Sequence, residues 1–254
     1  MKKLEIYKLL NVMKRLRDPK NGCPWDKKQT METIIPHSIE EVYEVAEQVY
    51  NKNYKKIKEE LGDLLFQVIY LSQIASEKNK FDFTDVVDVI TSKMINRHPH
   101  VFKNKKFKNM NEFKLWWENS KNLKQLSILD NIPVTLPALQ EANKIQKKVA
   151  SVGFEYKNHL QAINKVSEEL SELKTEIKNK NKKKIKEELG DLIFATLDVS
   201  RKLNLDPEFI LKKSNKKFKT RWKNLETYVK KEKLNLNKIT LKKYNELWKK
   251  AKRI

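Results

Sequence analysis

One segment of this chain is written twice. Residues 51–66 and 179–194 agree everywhere except at Tyr54/Lys182 and Leu65/Ile193, at an offset of 128 residues in a chain of 254. The register continues backwards, Glu40-Glu41-Val42-Tyr43-Glu44 falling on Glu168-Glu169-Leu170-Ser171-Glu172. Farther out the match loosens: Lys93-x-x-x-Arg97 resembles Lys217-x-x-x-Arg221, and Trp117-x-x-x-Lys121 resembles Trp248-x-x-x-Lys252. Two copies predict two domains, since a solenoid needs three or more stacked units. The boundary is expected around Asp130 to Pro137, where Pro133 and Pro137 cannot sit inside a helix. The expected domains are therefore 1–128 and 129–254.

Each copy reads as helix. Apolar residues recur at helical spacing over 1–17, 38–51, 53–78, 83–97 and 111–124, and again over 137–150, 160–178, 181–203, 207–230 and 240–252. Thr84 and Asp206 are expected N-caps, the latter with Pro207 at the first helical position. The stretch from Lys103 to Lys108 reads as an exposed loop. Only four residues are glycine, against about 7% in an average protein. That scarcity argues against all-β architecture and against glycine-rich nucleotide loops. No alternating strand pattern runs beyond a few residues. The expected fold is all-α, a tandem pair of small helical bundles.

A single cysteine excludes an intramolecular disulfide framework and any site built from several thiolates. No window approaches the length of apolar chain that spans a bilayer. The N-terminus lacks a secretory pattern, its apolar residues being interrupted by Glu5 and Lys8. A soluble, cytoplasmic protein is expected. Net charge is +22, supplied almost wholly by lysine, and a solvated lysine surface accounts for most of it. Such a field also attracts polyanions, nucleoside triphosphates among them.

The strongest chemical signal lies inside the repeat. Glu41 and Glu44 are spaced i, i+3, as are Glu60 and Asp63, so each pair shares a helix face. The short link Asn51-Lys52-Asn53 favours antiparallel helices, on which four carboxylates converge. Glu169, Glu172, Glu188 and Asp191 repeat the pattern. The apolar run that follows Asp63, and its counterpart after Asp191, predict buried carboxylates in need of a cation or a partner. Gly62 and Gly190 stand beside the clusters and predict close packing against the backbone, whether by a ligand or by a crossing helix. Gly22 and Gly153 form a second approximate pair. Oxygen-only donors suit Mg²⁺ first and Mn²⁺ second. Lys184, Lys217 and Arg221 are candidates to neutralise phosphate, and Trp248 to stack on a base. His98-Pro99-His100 is expected to pack as a helix terminus, and Cys23 to occupy a turn.

These residues resemble the MazG family of nucleoside triphosphate pyrophosphohydrolases. The resemblance runs through Leu16-Arg17-Asp18-Pro19, Asn21-Gly22-Cys23-Pro24-Trp25-Asp26, both Glu-Glu-x-x-Glu and Glu-Glu-Leu-Gly-Asp segments, Arg97-His98-Pro99-His100-Val101-Phe102, Leu136-Pro137-Ala138-Leu139, Val152-Gly153-Phe154 and Lys217-Phe218-x-x-Arg221. It implies an all-α homodimer that hydrolyses NTPs and dNTPs to monophosphate and pyrophosphate with Mg²⁺. It further implies metal ligation by Glu169, Glu172, Glu188 and Asp191 in the second half, with the first-half metal positions at Glu41, Glu44, Glu60 and Asp63. Lys184, Lys217, Arg221 and Trp248 become phosphate and nucleotide contacts, and the second half becomes the catalyst. The expected chemistry is attack of water on the α-phosphorus, with Glu168 or Glu169 taking the proton. The family pattern has Asn where this chain has Asp198. Two other classes were weighed: a non-catalytic nucleotide-binding regulatory module, and a basic helical nucleic-acid-binding protein. The last is disfavoured because clustered carboxylates repel a phosphate backbone.

Overall fold

The computed structural model describes residues 3–110, 112, 113, 116, 117 and 126–252. The chain divides into two compact units, residues 1–109 and 110–254. Much of the stretch between this division and the expected boundary at 128/129 lies outside the described residues. So does most of the helix expected over 111–124. Among the described residues there is helix and no strand.

The N-terminal unit contains α1 (Lys3–Leu16), α2 (Pro24–Lys28), α3 (Met31–Tyr50), α4 (Tyr54–Glu77), α5 (Phe83–Arg97) and α6 (Pro99–Phe102). The C-terminal unit contains α7 (Ala138–Ser151), α8 (His159–Lys178), α9 (Lys182–Lys202), α10 (Pro207–Lys231) and α11 (Leu241–Ala251), with a single 3₁₀ turn at Leu236–Lys238. In each unit the two longest-packed neighbours are the repeated pair, α3 with α4 and α8 with α9.

The link in each pair is built identically without glycine. Lys52 and Lys180 take the left-handed conformation, at φ 55° in both. The amide of Asn53 donates to Gln48 O and that of Lys52 to Val49 O, while Asn181 donates to Glu176 O and Lys180 to Ile177 O. This is the Schellman pattern of a helix end. The Asn53 side chain then caps α4 at the Lys56 amide, and Asn181 caps α9 at Lys184. One asparagine thus closes one helix and opens the next, which makes the pair antiparallel. Glycine is indispensable elsewhere. A Cβ on Gly22 would lie 2.5 Å from the carbonyl oxygens of Leu16 and Asp18, and Gly153 ends α7 at φ 90°.

Several local expectations are corrected. Helix α3 begins at Met31, not at residue 38, because Thr30 and Thr33 form a reciprocal cap and Pro36 is tolerated one turn inside. Asp82, not Thr84, caps α5, and Asp85 closes the capping box. Asp206 caps α10 as expected, and His98 ends α5 with Nδ1 2.8 Å from Met94 O. Asp63 and Asp191 are exposed, as are Leu61, Leu65 and Val68 on α4. The apolar helix therefore buries one face, through Ile69, Tyr70 and Ile74, and leaves another exposed. A Cβ on Gly62 or Gly190 would meet nothing within 4 Å, so no crossing helix among the described residues explains them.

The N-terminal core joins Met13, Ile34, Ile69, Tyr70 and Ile74, flanked by Leu9, Phe66 and Phe83. A polar network closes it. The Tyr70 hydroxyl donates to Asp26 Oδ1 at 2.9 Å, and Arg17 forks onto Glu77 at 2.8 and 2.7 Å while also donating to the carbonyls of Asp26 and Gln29. Burial, with the Asp26 hydrogen bond, pushes the Tyr70 phenol up to about 12. The Arg17 guanidinium holds the Glu77 carboxyl below its ordinary range. The motif around Asp26 is thus a clamp joining the α1–α2 loop to α4. The C-terminal unit has a second small core of Leu225, Val229, Leu247 and Ala251 between α10 and α11.

Arg17→Met should lower unfolding free energy by about 1–2 kcal/mol, because it strands two carbonyls and removes a solvent-screened ion pair to the exposed Glu77. Glu77 has a depressed folded-state pKa, so its contribution is complete above the ordinary carboxylate range and is lost as pH falls through the folded value. Glu77→Gln should accordingly flatten the acid limb of stability. Urea unfolding between pH 3 and 7 checks both, and an unchanged acid limb would count against the clamp.

Candidate functional site

The i, i+3 spacing on facing helices brings the carboxylates together as expected. Donor oxygens of Glu41, Glu60 and Asp63 lie within 4.8 Å of one another, and so do those of Glu169, Glu172 and Glu188. Glu44 and Asp191 stand at the margins. Glu44 shares a hydrogen bond with Glu60, and Asp191 is close enough to repel the charge of Glu188. The buried members are Glu60 in one unit and Glu169 in the other, where the sequence had pointed to the aspartates.

Desolvation, then mutual repulsion, raises the carboxyl pKa values of Glu41, Glu44 and Glu188. Glu41 Oε2 is buried with no hydrogen-bond partner. An all-oxygen donor set with an orphaned carboxylate oxygen fits a hard divalent cation and excludes the soft-ligand metals.

The C-terminal cluster carries a counter-ion that the sequence reading missed. Lys165 lies 2.6 Å from Glu168 and 2.8 Å from Glu169, and these contacts raise its pKa. Its spacing of three and four residues before the two glutamates was legible along the helix. The N-terminal counterpart is His37, 4.0 Å from Glu40.

Beside Glu169 and Asp191 opens a cavity of ≈ 440 Å³. Gln146, Phe194, Ala195, Asp198 and Arg201 also line it, with the Gly153–Tyr156 turn on one side. The repeat register explains why it is open. Ala162, Ala195 and Asp198 replace Ile34, Gln67 and Tyr70, and Tyr70 fills the corresponding place in the N-terminal unit. Its floor is a charge-balanced network. Arg201 Nε donates to Asp198 Oδ1 at 2.6 Å, and Arg201 Nη1 and Lys202 Nζ donate to Glu155 Oε2 at 2.8 and 2.5 Å. These contacts keep Glu155 below the ordinary carboxylate range. Gln146, on α7, donates its amide N–H to Phe194 O at 2.7 Å.

The expected phosphate and nucleotide contacts are not among the residues lining this cavity. Lys184 Nζ faces Glu176 at 3.8 Å. Lys217 and Arg221 are one turn apart on α10, which packs on α7 and α9. Lys217 is exposed and Arg221 half-buried. Trp248 packs on Phe218 with ring centroids 5.1 Å apart.

Comparison with known proteins agrees with this architecture. The family model described as "MazG nucleotide pyrophosphohydrolase domain" matches residues 29–102 and 157–225, the two carboxylate hairpins. An Escherichia coli (strain K12) protein named "Nucleoside triphosphate pyrophosphohydrolase" is 41% identical over 98% of this chain and 97% of its own length. A Thermotoga maritima protein named "Nucleoside triphosphate pyrophosphohydrolase/pyrophosphatase MazG" is 40% identical over 96% and 94%. A Bacillus subtilis protein, YabN, is 39% identical over 98% of this chain but only 52% of its own length.

Raised carboxyl pKa values mean that, without metal, the folded chain binds protons more readily than the unfolded chain. Stability of the metal-free protein should therefore fall as pH rises through the folded values. Mg²⁺ should raise Tm most above that range and progressively less toward pH 4.5. Glu188→Gln should raise the metal-free Tm and blunt the Mg²⁺ response. Scanning calorimetry with and without Mg²⁺ checks this, and a pH-independent response would contradict it.

Proposed function

The chain belongs to the MazG family, and from that membership we propose that it hydrolyses nucleoside triphosphates to monophosphate and pyrophosphate, with catalysis in the C-terminal unit. The observation that carries the reading is the convergence of Glu169, Glu172 and Glu188 within 4.8 Å beside an open cavity. The matching position in the N-terminal unit is filled by Tyr70, which supports assigning turnover to the second copy.

Glu169, Glu172, Glu188 and Asp191 would hold Mg²⁺, or Mn²⁺ in its place. When bound, the cation supplies charge neutralisation at phosphate oxygens and a lowered pKa for ligated water. Glu41, Glu44, Glu60 and Asp63 form the equivalent set in the first copy. Glu168 is exposed and outside the group of three, so it is free to accept the proton of the attacking water while Glu169 ligates. The Lys165 ammonium lies 2.6 Å from Glu168 and 2.8 Å from Glu169 and offsets their charge. Lys184, Lys217 and Arg221 would neutralise charge growing on the leaving pyrophosphate. Arg221 has no ion pair among the described residues. Trp248, expected to stack on a base, instead packs on Phe218 against the α10–α11 core and does not line the cavity.

A homodimer is part of the same proposal. Ile39, Val42, Leu61, Leu65 and Val68 on α3–α4, and Leu170, Ile177, Leu189 and Ile193 on α8–α9, are large, apolar and exposed. Faces of this kind mark contact with another chain. The open backbones at Gly62 and Gly190 would admit a helix of the second copy.

Glu172→Gln and Asp191→Asn should each reduce pyrophosphate release by about 10²-fold or more, with far-UV circular dichroism unchanged. Glu44→Gln combined with Asp63→Asn should leave most of the turnover in place. Full activity in both second-half variants would sink the assignment to the C-terminal unit.

A further inference from the structure

The cavity beside the carboxylates has polar groups that no contact within the chain uses. Gln146 is 4% exposed, and its Oε1 is buried with no hydrogen-bond partner. The orientation of that amide is decided by chemistry. Phe194 O can only accept, so the NH₂ faces it at 2.7 Å and the oxygen is the end left over. An unmatched buried acceptor is destabilising, and a ligand N–H would relieve it. Asp198 contributes a second acceptor. Arg201 Nε takes Oδ1, and the other oxygen has no hydrogen bond among the described residues. The Arg201 guanidinium is tethered through Nε and Nη1, leaving Nη2 as a donor at the same wall. Phe194 and Phe154 supply aromatic surface, and the volume of ≈ 440 Å³ falls within the range of small-molecule pockets, about 300–1,000 Å³.

Resting on the proposed triphosphate hydrolysis, we propose that this cavity is the nucleobase site, and that Gln146 and Asp198 select bases whose edge presents N–H donors, guanine first. Guanine offers two adjacent donors, N1–H and the 2-amino group, to a carboxylate, and its O6 suits a guanidinium beside it. Uracil and thymine offer one N–H between two carbonyls, which would face acceptors across the pocket. Adenine and cytosine present a single amino donor and fall between. Because Glu169 and Asp191 share the cavity wall, a base seated there leaves its phosphates at the carboxylate cluster. The N-terminal unit lacks the pair of acceptors. Tyr70 occupies the position of Asp198, and its hydroxyl is consumed by Asp26.

The test is pyrophosphate release by the full-length protein with Mg²⁺ on GTP, ITP, ATP, CTP and UTP. Wild type should show its highest kcat/KM on GTP and its lowest on UTP, and removal of the 2-amino group in ITP should cost about 10-fold or more. Asp198→Asn, which keeps the shape and replaces an acceptor with a donor, should lower kcat/KM for GTP by about 10–100-fold. The loss should fall mainly on KM and be smaller for UTP. Gln146→Met should compress the same preference. Equal kcat/KM across the five substrates in wild type, or a loss in Asp198→Asn that is uniform across bases and confined to kcat, would overturn the assignment of the base site. If wild type cleaves none of the five, the hydrolase reading itself fails, which is a separate outcome. Circular dichroism and the Mg²⁺-dependent Tm of each variant identify one that has merely lost its fold, and the other variant then decides.

Discussion

Carboxylates forced together across a helix pair repel one another, and most of what is distinctive in this molecule answers that repulsion. Three donor groups within 4.8 Å in each unit are costly in a partly desolvated setting, as the raised pKa values of Glu41, Glu44 and Glu188 record. In the C-terminal unit Lys165 offsets part of this from within the same helix. The remainder is the affinity available to a cation. The arrangement depends on the Asn-Lys-Asn link, because a looser turn would not hold i, i+3 pairs in facing register.

The two copies share that backbone device and differ inside. Where the N-terminal unit has Ile34, Gln67 and Tyr70, the C-terminal unit has Ala162, Ala195 and Asp198. One interior becomes a sealed apolar cluster closed by Arg17, Asp26 and Glu77. The other becomes a cavity with a floor of Asp198, Arg201, Lys202 and Glu155. Loss of side-chain volume opens the space, and a balanced set of charges keeps it from collapsing into an unsatisfied polar interior.

Asp198, Gly62 and Gly190 illustrate how local signals mislead when read alone. Asp198 differed from the family pattern, but its partner Arg201 and its place at the cavity wall are three-dimensional facts. Gly62 and Gly190 suggested close packing against the backbone by a ligand or a crossing helix, and the space beside them is open. The apolar run after Asp63 suggested burial all round, yet Leu65 and Val68 are exposed while Ile69 and Tyr70 are buried. In each case the sequence correctly marked an unusual surface and misassigned what covers it.

By itself the sequence determined most of the helices, the tandem division into two similar bundles, the cap at Asp206, and the carboxylates that converge across each helix pair. These follow from interactions between residues a few positions apart, which helical periodicity encodes directly. Only the tertiary structure decided which carboxylates are buried, and that Gln146 on α7 faces α9 with one oxygen unused. Gln146 and Phe194 are 48 residues apart, and a contact at that distance is set by how helices pack, which no local pattern records.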